Sequence, residues 1–377
     1  MFELRGLLRG RMPAKILFGG GAARLQEVRQ FLFHGAVETR EIGPASPFHL
    51  GPRLAREADP AVHALLWDAW PWEHSAAGTY VVQAWLDAHA DPGPDWERNV
   101  KSRVNETVAK CLRRAERLGC TFSTSRDGSE LERFYNEMVL PTALARYGED
   151  VFLADVGTFL ARGAGEDRIL LKVQRDGMWL AGSVVVFAPE RSEAWMLNCG
   201  MASTVLADRA LTAEVNALKR AWVFKEASRR GLRVNLALTR PFLDDGVFDN
   251  KRRWGCWLQQ VPALPRYRMQ LAPQHVDGFL RVAPFFHLAP DGVRGVLAFA
   301  PSLPDAVEEL RARLNACVFP GLRGLTVRVA GGAELLAELS RAVPAVKGCG
   351  VSYQAAGPEQ RAGAHAGDLE MGGRPAG

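Results

Sequence analysis

The stretch RILLKVQRDGMWLAGSVVVF, residues 168–187, sets the fold class. Two runs rich in apolar and β-branched residues flank Arg175-Asp176-Gly177, and Asp-Gly between such runs is a strong cue for a two-residue hairpin. A third run, EAWMLNCGM at 193–201, follows across Pro189 to Ser192, so the economical reading is a meander of three antiparallel strands. Apolar spacing then predicts an amphipathic helix from about Thr212 to Arg230, stopped by Gly231. RVNLAL, residues 233–238, reads as the next buried strand. Meander, helix and strand in this order describe an α/β (α+β) protein with a mixed, largely antiparallel sheet flanked by helices.

Just beyond that strand the chain becomes dense in charge: LALTRPFLDDGVFDNKRRWG, Leu236 to Gly255, sets Asp244, Asp245 and Asp249 against Lys251, Arg252 and Arg253. Opposite charges crowded past a strand end mark a candidate site. Asn198 interrupts an apolar strand run and is either a satisfied core amide or a substrate ligand. Arg240, ahead of Pro241-Phe242, is a second polar candidate.

Upstream, a basic helix is expected from Pro94 to Leu118, with Asp95 as N-cap, Gly119 as stop, and Val104, Val108, Leu112 and Ala115 as its apolar stripe. Between Arg98 and Arg117 seven basic residues face two acidic ones, an excess equal to the whole chain's net charge of +5. That favours an anionic partner near Lys110, Arg113, Arg114 and Arg117. A helix from Ser129 to Tyr147 follows, which Pro141 should bend or break. It ends in Arg146-Tyr147-Gly148. Nearer the N-terminus, HALLWDAWPWEH (63–74) carries three tryptophans whose expected role is core or an inter-domain seam. After Gly255, Trp257–Val261 and Tyr267–Leu271 should finish the sheet. Residues 275–350 alternate helix and strand as a small appendage, and the Gly/Ala-rich remainder lacks core residues.

Composition narrows the function classes. The chain has 377 residues, 47% hydrophobic and 24% charged, which suits a globular protein of more than one unit. No apolar run reaches the roughly 18 residues of a membrane helix, and no signal-peptide core forms, so a cytoplasmic chain without a membrane span is expected. The six cysteines show no C-x-x-C spacing, and neither Gly-x-Ser-x-Gly nor His-Glu-x-x-His occurs. Hydrolase and zinc-enzyme readings therefore lose their support; no metal is expected.

Three segments together resemble the Fem-type (FemAB-like) branch of the GNAT acyltransferase superfamily. They are KSRVNETVAKCLRRAERLG with its Arg-Arg-Ala core, ELERFYNEMVLPTALARYG ending in Arg-Tyr, and DDGVFDNKRRWG, similar to a Phe-x-x-Phe-Lys-x-x-Phe/Trp-Gly signature. The resemblance spans residues 80 to 260. It implies two GNAT-like units: 1–165, degenerate and carrying the basic helix, and 166–272, carrying the site. An appendage at 273–353 and a disordered tail at 354–377 complete the chain. It also implies transfer of an aminoacyl or other activated acyl group onto a small-molecule, peptide or glycan amine, in cell-wall, exopolysaccharide or specialised-metabolite chemistry. Lys251 matches the motif lysine near the acyl-transfer centre, with Phe248 and Trp254 as the motif aromatics. Relatives commonly carry an aromatic just before that lysine; here it is Asn250.

Acyl transfer needs a neutral amine, a stabilised oxyanion and a proton route. On this reading Lys251 is the cation near developing charge or a donor phosphate, Asp244 or Asp245 accepts a proton or holds the ammonium, and Tyr147 donates to the oxyanion or acts as an acid. Arg146, Asn198, Arg240, Phe248 and Trp254 contact substrate. No cofactor is expected to be tightly bound, the donor being aminoacyl-tRNA or acyl-CoA. The glycines of the CoA pattern Arg/Gln-x-x-Gly-x-Gly/Ala are missing from GMASTVLADRAL (200–211), and the one match is RVAGGA, Arg328 to Ala333. The missing glycines and the basic helix favour tRNA as partner. An acyl-CoA-dependent N-acyltransferase and a non-catalytic GNAT-shaped binding or scaffold protein are the alternatives.

Overall fold

The computed structural model describes residues 1–44, 46–70, 72–75, 78–101, 106–147, 154–161, 164, 167–301 and 305–356, leaving aside the side chains at 47, 100, 101, 107, 146 and 147. The chain begins β1 (Phe2–Leu8), β2 (Met12–Gly19), α1 (Ala22–Leu32), β3 (Phe33–Glu41), α2 (Leu50–Glu57), β4 (Val62–Ala69), β5 (Tyr80–Gln83) and β6 (Leu86–Ala90). It continues α3 (Glu106–Arg117), β7 (Thr121–Ser125), α4 (Gly128–Phe134), α5 (Leu140–Tyr147), α6 (Val156–Ala161), β8 (Asp167–Arg175), β9 (Met178–Ala188) and β10 (Glu193–Met201). Then come α7 (Ser203–Leu206), α8 (Arg209–Arg230), β11 (Arg233–Thr239), α9 (Gly246–Arg252), β12 (Trp257–Gln259) and β13 (Arg266–Leu271). The C-terminal part holds α10 (Val276–Val282), β14 (Phe285–Ala289), β15 (Gly292–Phe299), α11 (Ala306–Cys317), β16 (Leu325–Val329), α12 (Ala333–Ala342), β17 (Ala345–Val346) and β18 (Cys349–Ala355).

The expected α/β (α+β) class is what forms: three mixed sheets with helices packed on them, ordered β3-β1-β2-β4-β13-β5, β12-β6-β11-β10-β9-β8-β7 and β14-β15-β16-β18-β17. The meander is present as β8–β9–β10, all antiparallel. Asp176 and Gly177 both take positive φ, +50° and +74°, as the tight turn requires. Asp208 caps α8 through Ala210 N and Leu211 N, so the helix starts three residues before Thr212, and Gly231 ends it at φ +69°.

Sheet membership crosses the segment boundaries read from sequence. β6 and β7, from before residue 166, belong to the second sheet. The chain changes sheets between Gln83 and Leu86, β5 joining the first and β6 the second. Of the two runs expected to finish the second sheet, only β12 does so; β13 returns to the first and inserts between β4 and β5. Pro262 and Pro265 break the chain there, and Tyr267 and Met269 find their burial in the first core. One buried side chain ties both crossovers: Gln83 Nε2 donates to Val261 O (2.8 Å) and Leu264 O (3.1 Å), and its Oε1 accepts from Val261 N (2.9 Å).

Pro141 does not break its helix. A π-helical turn over Tyr135–Val139 precedes α5 and carries the chain through to Tyr147. The tryptophan segment departs further from expectation: Trp67 is half-buried over Gly51, but Trp70 and Trp72 are exposed and stacked on each other, with Phe48 beside Trp70. β4 ends at Ala69, so the two outer rings lie past the sheet that would have buried them.

The C-terminal sheet shares cores with both others. Phe286, Leu297, Leu310 and Phe319 join the cluster of the second sheet, while Phe285, Val296 and Phe279 join that of the first. Residues 357–377, most of the expected tail, lie outside the described residues. Among the described residues no helix is long and apolar enough to cross a membrane.

Candidate active site

β10 and β11 run parallel but pair only over Glu193–Trp195 and Arg233–Asn235. Both strands are irregular just past that point. The register of β10 on β9 slips between Met196 and Cys199, and that of β11 on β6 slips between Asn235 and Leu238. Leu197 and Asn198 consequently have no strand partner on either side. The result is an opening between two parallel strands, at the level where α9 packs on β11.

Within the β11 irregularity Ala237 takes φ +61°, a conformation few residues with a Cβ adopt. The Asn235 side chain accepts from Ala237 N at 2.7 Å. Lys251, on α9, reaches under the same turn and donates through Nζ to the carbonyls of Ala237 (2.8 Å) and Leu238 (2.7 Å). Lys251 is buried, and burial first, then the Arg220 guanidinium, push its ammonium down from the usual 10.5 to about 8. Cys256, Cys199 and Asp245 act in the opposite direction, placing these groups around it.

This pKa has a stability consequence. Between about 8 and 10.5 the unfolded chain holds a proton that the folded lysine has released. The lysine's contribution to stability is therefore lowest below pH 8 and rises as pH climbs through that window. Urea titrations of the wild type and Lys251→Met at pH 7 and 9.5 should show the gap between them moving in the wild type's favour at the higher pH. A gap that narrows contradicts the depressed pKa.

The remaining sequence candidates fall into groups. Asp244 and Asp245 are already engaged by the β1–β2 hairpin, more than two hundred residues away in sequence. Arg11 Nη1 donates to Asp244 (2.7 Å), and Arg9 Nη2 lies 3.6 Å from Asp245 and 3.9 Å from Asp244. Asp245 also caps α9, accepting from Val247 N and Phe248 N at 2.9 Å each. Their geometry is that of a seam between the first and second sheets. Arg240 belongs to the same seam, with Nη1 2.9 Å from His34 Nε2 and its guanidinium near Trp85. Asp249 pairs with Arg252 and Arg253 along the helix, contacts worth only about 0.3–0.5 kcal/mol each.

Phe248 and Trp254 are core residues. Phe248 is fully buried edge-on against Phe286 and Phe319, and Trp254 packs on Phe224. Phe248 on α9 and Trp254 just past its end are both spent on packing, one against the C-terminal part and the other against α8. Asn250 is exposed and its Oδ1 accepts from Arg220, linking α9 to α8. Asn198 is half-buried, and its main-chain oxygen accepts from Ser183 Oγ at 3.1 Å. The side chains of Arg146 and Tyr147 lie outside the described residues.

On α3, Val108, Leu112 and Ala115 are buried, as the expected stripe requires, and Lys110, Arg113, Arg114 and Arg117 are exposed. Val104 lies outside the described residues. Arg114 Nε binds the buried Glu214 of α8 at 2.8 Å. Burial pushes the Cys111 thiol of α3 up, and the Arg114 and Arg253 guanidinium groups act against it. Arg9, Arg11, Arg220 and Ala237 were not legible as site residues; the one local signal was Arg9-Gly10-Arg11 between two apolar runs, a hairpin cue.

In each candidate donor site for CoA one element is already held by a protein group. The first amides of α8 are held by the Asp208 carboxylate, and Arg328 of RVAGGA donates through Nε to Asp277 at 2.6 Å.

No family model matches the chain, and no curated protein matches it. Among solved structures it is similar to FemX at 12% identity, with a TM-score of 0.38, over 71% of this chain and 83% of that one. It is also similar to the C-terminal domain of a candidate lysylphosphatidylglycerol synthetase from Agrobacterium fabrum (16%, TM-score 0.35, 71% and 80%). A third similarity is to a GCN5-related N-acetyltransferase from Kribbella flavida (13%, TM-score 0.28, 64% and 85%).

Proposed function

We propose that this chain is an acyltransferase that moves an activated acyl group, carried by aminoacyl-tRNA, onto an amine acceptor. The observation that carries the reading is the opening between β10 and β11: parallel strands that separate after three residue pairs, directly against the helix bearing the motif lysine. Leu197 and Asn198 lie at that opening without strand partners, and a backbone N–H offered to a developing oxyanion there would be the largest single aid such a reaction can receive. Asn198 and Cys199 line the β10 side, and exposed Leu238 the β11 side.

The choice of donor rests on charge. The Asp208 carboxylate at the start of α8 repels a pyrophosphate at the position where CoA enzymes of this topology bind it, and the Arg328–Asp277 pair leaves the second position without a cation to offer. The exposed basic face of α3 suits a polynucleotide backbone.

The test is parallel incubation with charged tRNA and with acyl-CoA, followed by mass spectrometry of amine acceptor pools. Acylated product with charged tRNA alone is expected; product with acyl-CoA alone assigns the other donor, and product with neither leaves a binding or scaffold protein. If tRNA is the donor, Arg113→Glu with Arg117→Glu should weaken tRNA binding and make the salt dependence shallower by about one unit of slope per lost phosphate contact. Filter binding at several salt concentrations reads this, and an unchanged slope removes α3 from the interface.

A further inference from the structure

We infer that Lys251 is a positioning residue: its ammonium pins Ala237 and Leu238 in the β11 irregularity and so keeps β10 and β11 apart, without touching the reacting groups. The inference builds on the proposed acyl transfer for its activity readout, and on geometry alone for its stability readout.

Four observations converge on it. Lys251 is buried, its Nζ is bonded to two backbone carbonyls, and both carbonyls belong to the turn in which β11 changes register. Ala237 at the centre of that turn holds φ +61°, unfavourable for any residue with a Cβ. The pairing of β10 with β11 ends at Trp195 and Asn235, just before the irregularity on each strand. The helix that carries Lys251 is itself fixed, by the Asp245 cap, by Phe248 in the core and by the Asn250–Arg220 contact.

The physical logic follows. A bulge in a strand leaves carbonyls without ladder partners, and buried carbonyls must be satisfied elsewhere. Lys251 satisfies two of them and offsets the cost of the left-handed alanine. Without it, Ala237 relaxes toward extended backbone and β11 loses its extra residue. Every side chain past that point then changes face. The opening closes because β11 can now pair further along β10.

Glycine adopts positive φ without steric cost, so it should hold the turn without the lysine. The experiment is the cycle of Lys251→Met, Ala237→Gly and the double variant, read by thermal unfolding and, once a donor is known, by kcat and KM. Lys251→Met is expected to lower Tm by about 5 °C or more. Adding Ala237→Gly should return roughly half of that loss, together with a recovery of kcat at little change in KM. A Lys251→Met protein as stable as wild type overturns the inference, as does a double variant that is no more stable than Lys251→Met or does not fold. Recovered stability without recovered kcat in a protein whose wild type is active also overturns it, since the lysine then acts on the reactants. Recovered stability with no transfer by the wild type from either donor leaves the pin standing and removes the acyltransferase reading instead.

Discussion

Phe248→Ala is expected to destabilise the protein by about 3–5 kcal/mol, the cost of emptying a fully buried aromatic site. Phe248 is the point where three parts of the chain meet. It sits on α9, its ring lies 5.0 Å from Phe286 at 78° and 5.4 Å from Phe319 at 82°, and those two rings stand edge-on to each other at 5.4 Å. Each edge-to-face pair adds about 0.5–1.5 kcal/mol beyond its buried area, and the alanine forfeits two of them. The C-terminal part therefore loses its hold on α9. Phe248→Leu, which keeps most of the volume, should cost less than half as much. Urea unfolding measures both, and limited proteolysis of Phe248→Ala should release a fragment beginning near residue 273. A cost below about 1 kcal/mol would show that the site collapses freely and that the sheets are not joined here.

Asp245→Ala is the second large effect, expected at about 3 kcal/mol. Two losses combine. The carboxylate caps α9 through two backbone amides, worth about 1 kcal/mol. It also faces the Arg9 guanidinium, whose side chain is 8% exposed and lies 4.3 Å from the Phe242 ring. Burial already lowers the Arg9 pKa, with Asp244 and Asp245 pulling it back. Removing Asp245 leaves a buried cation with only Asp244, at 3.9 Å. Asp245→Asn separates the two contributions, because an amide oxygen still caps the helix while the charge is gone. Arg9→Met together with Asp245→Asn should cost less than the sum of the single changes, since neither charge is then left unpaired. Strict additivity in that cycle would mean the hairpin and α9 are energetically independent.

What could be read in advance follows the range of the forces involved. The Asp176-Gly177 hairpin, the α8 helix with its Gly231 stop and the buried stripe of α3 are short-range features, fixed by φ preferences, caps and apolar periodicity within a few residues. Lys251 was legible as a candidate because the charged segment DDGVFDNKRRWG is contiguous. Its surroundings were not, since the carbonyls it binds lie on another element and their exposure depends on where β10 and β11 stop pairing.

The aspartates make the same point from the other side. As a sequence, Asp244-Asp245 beside Lys251 looks like a proton-handling site; in space the pair is neutralised by Arg9 and Arg11 from the first hairpin. By itself, then, the sequence determined the elements of the central unit, the basic helix and the position of the charged segment around Lys251. The tertiary structure alone decided which charges are consumed in holding the sheets together, that Phe248 and Trp254 are core, and that β13 returns to the first sheet. The reason is physical: periodicity and capping act along the chain, whereas desolvation and ion pairing depend on which distant groups folding brings within a few ångströms.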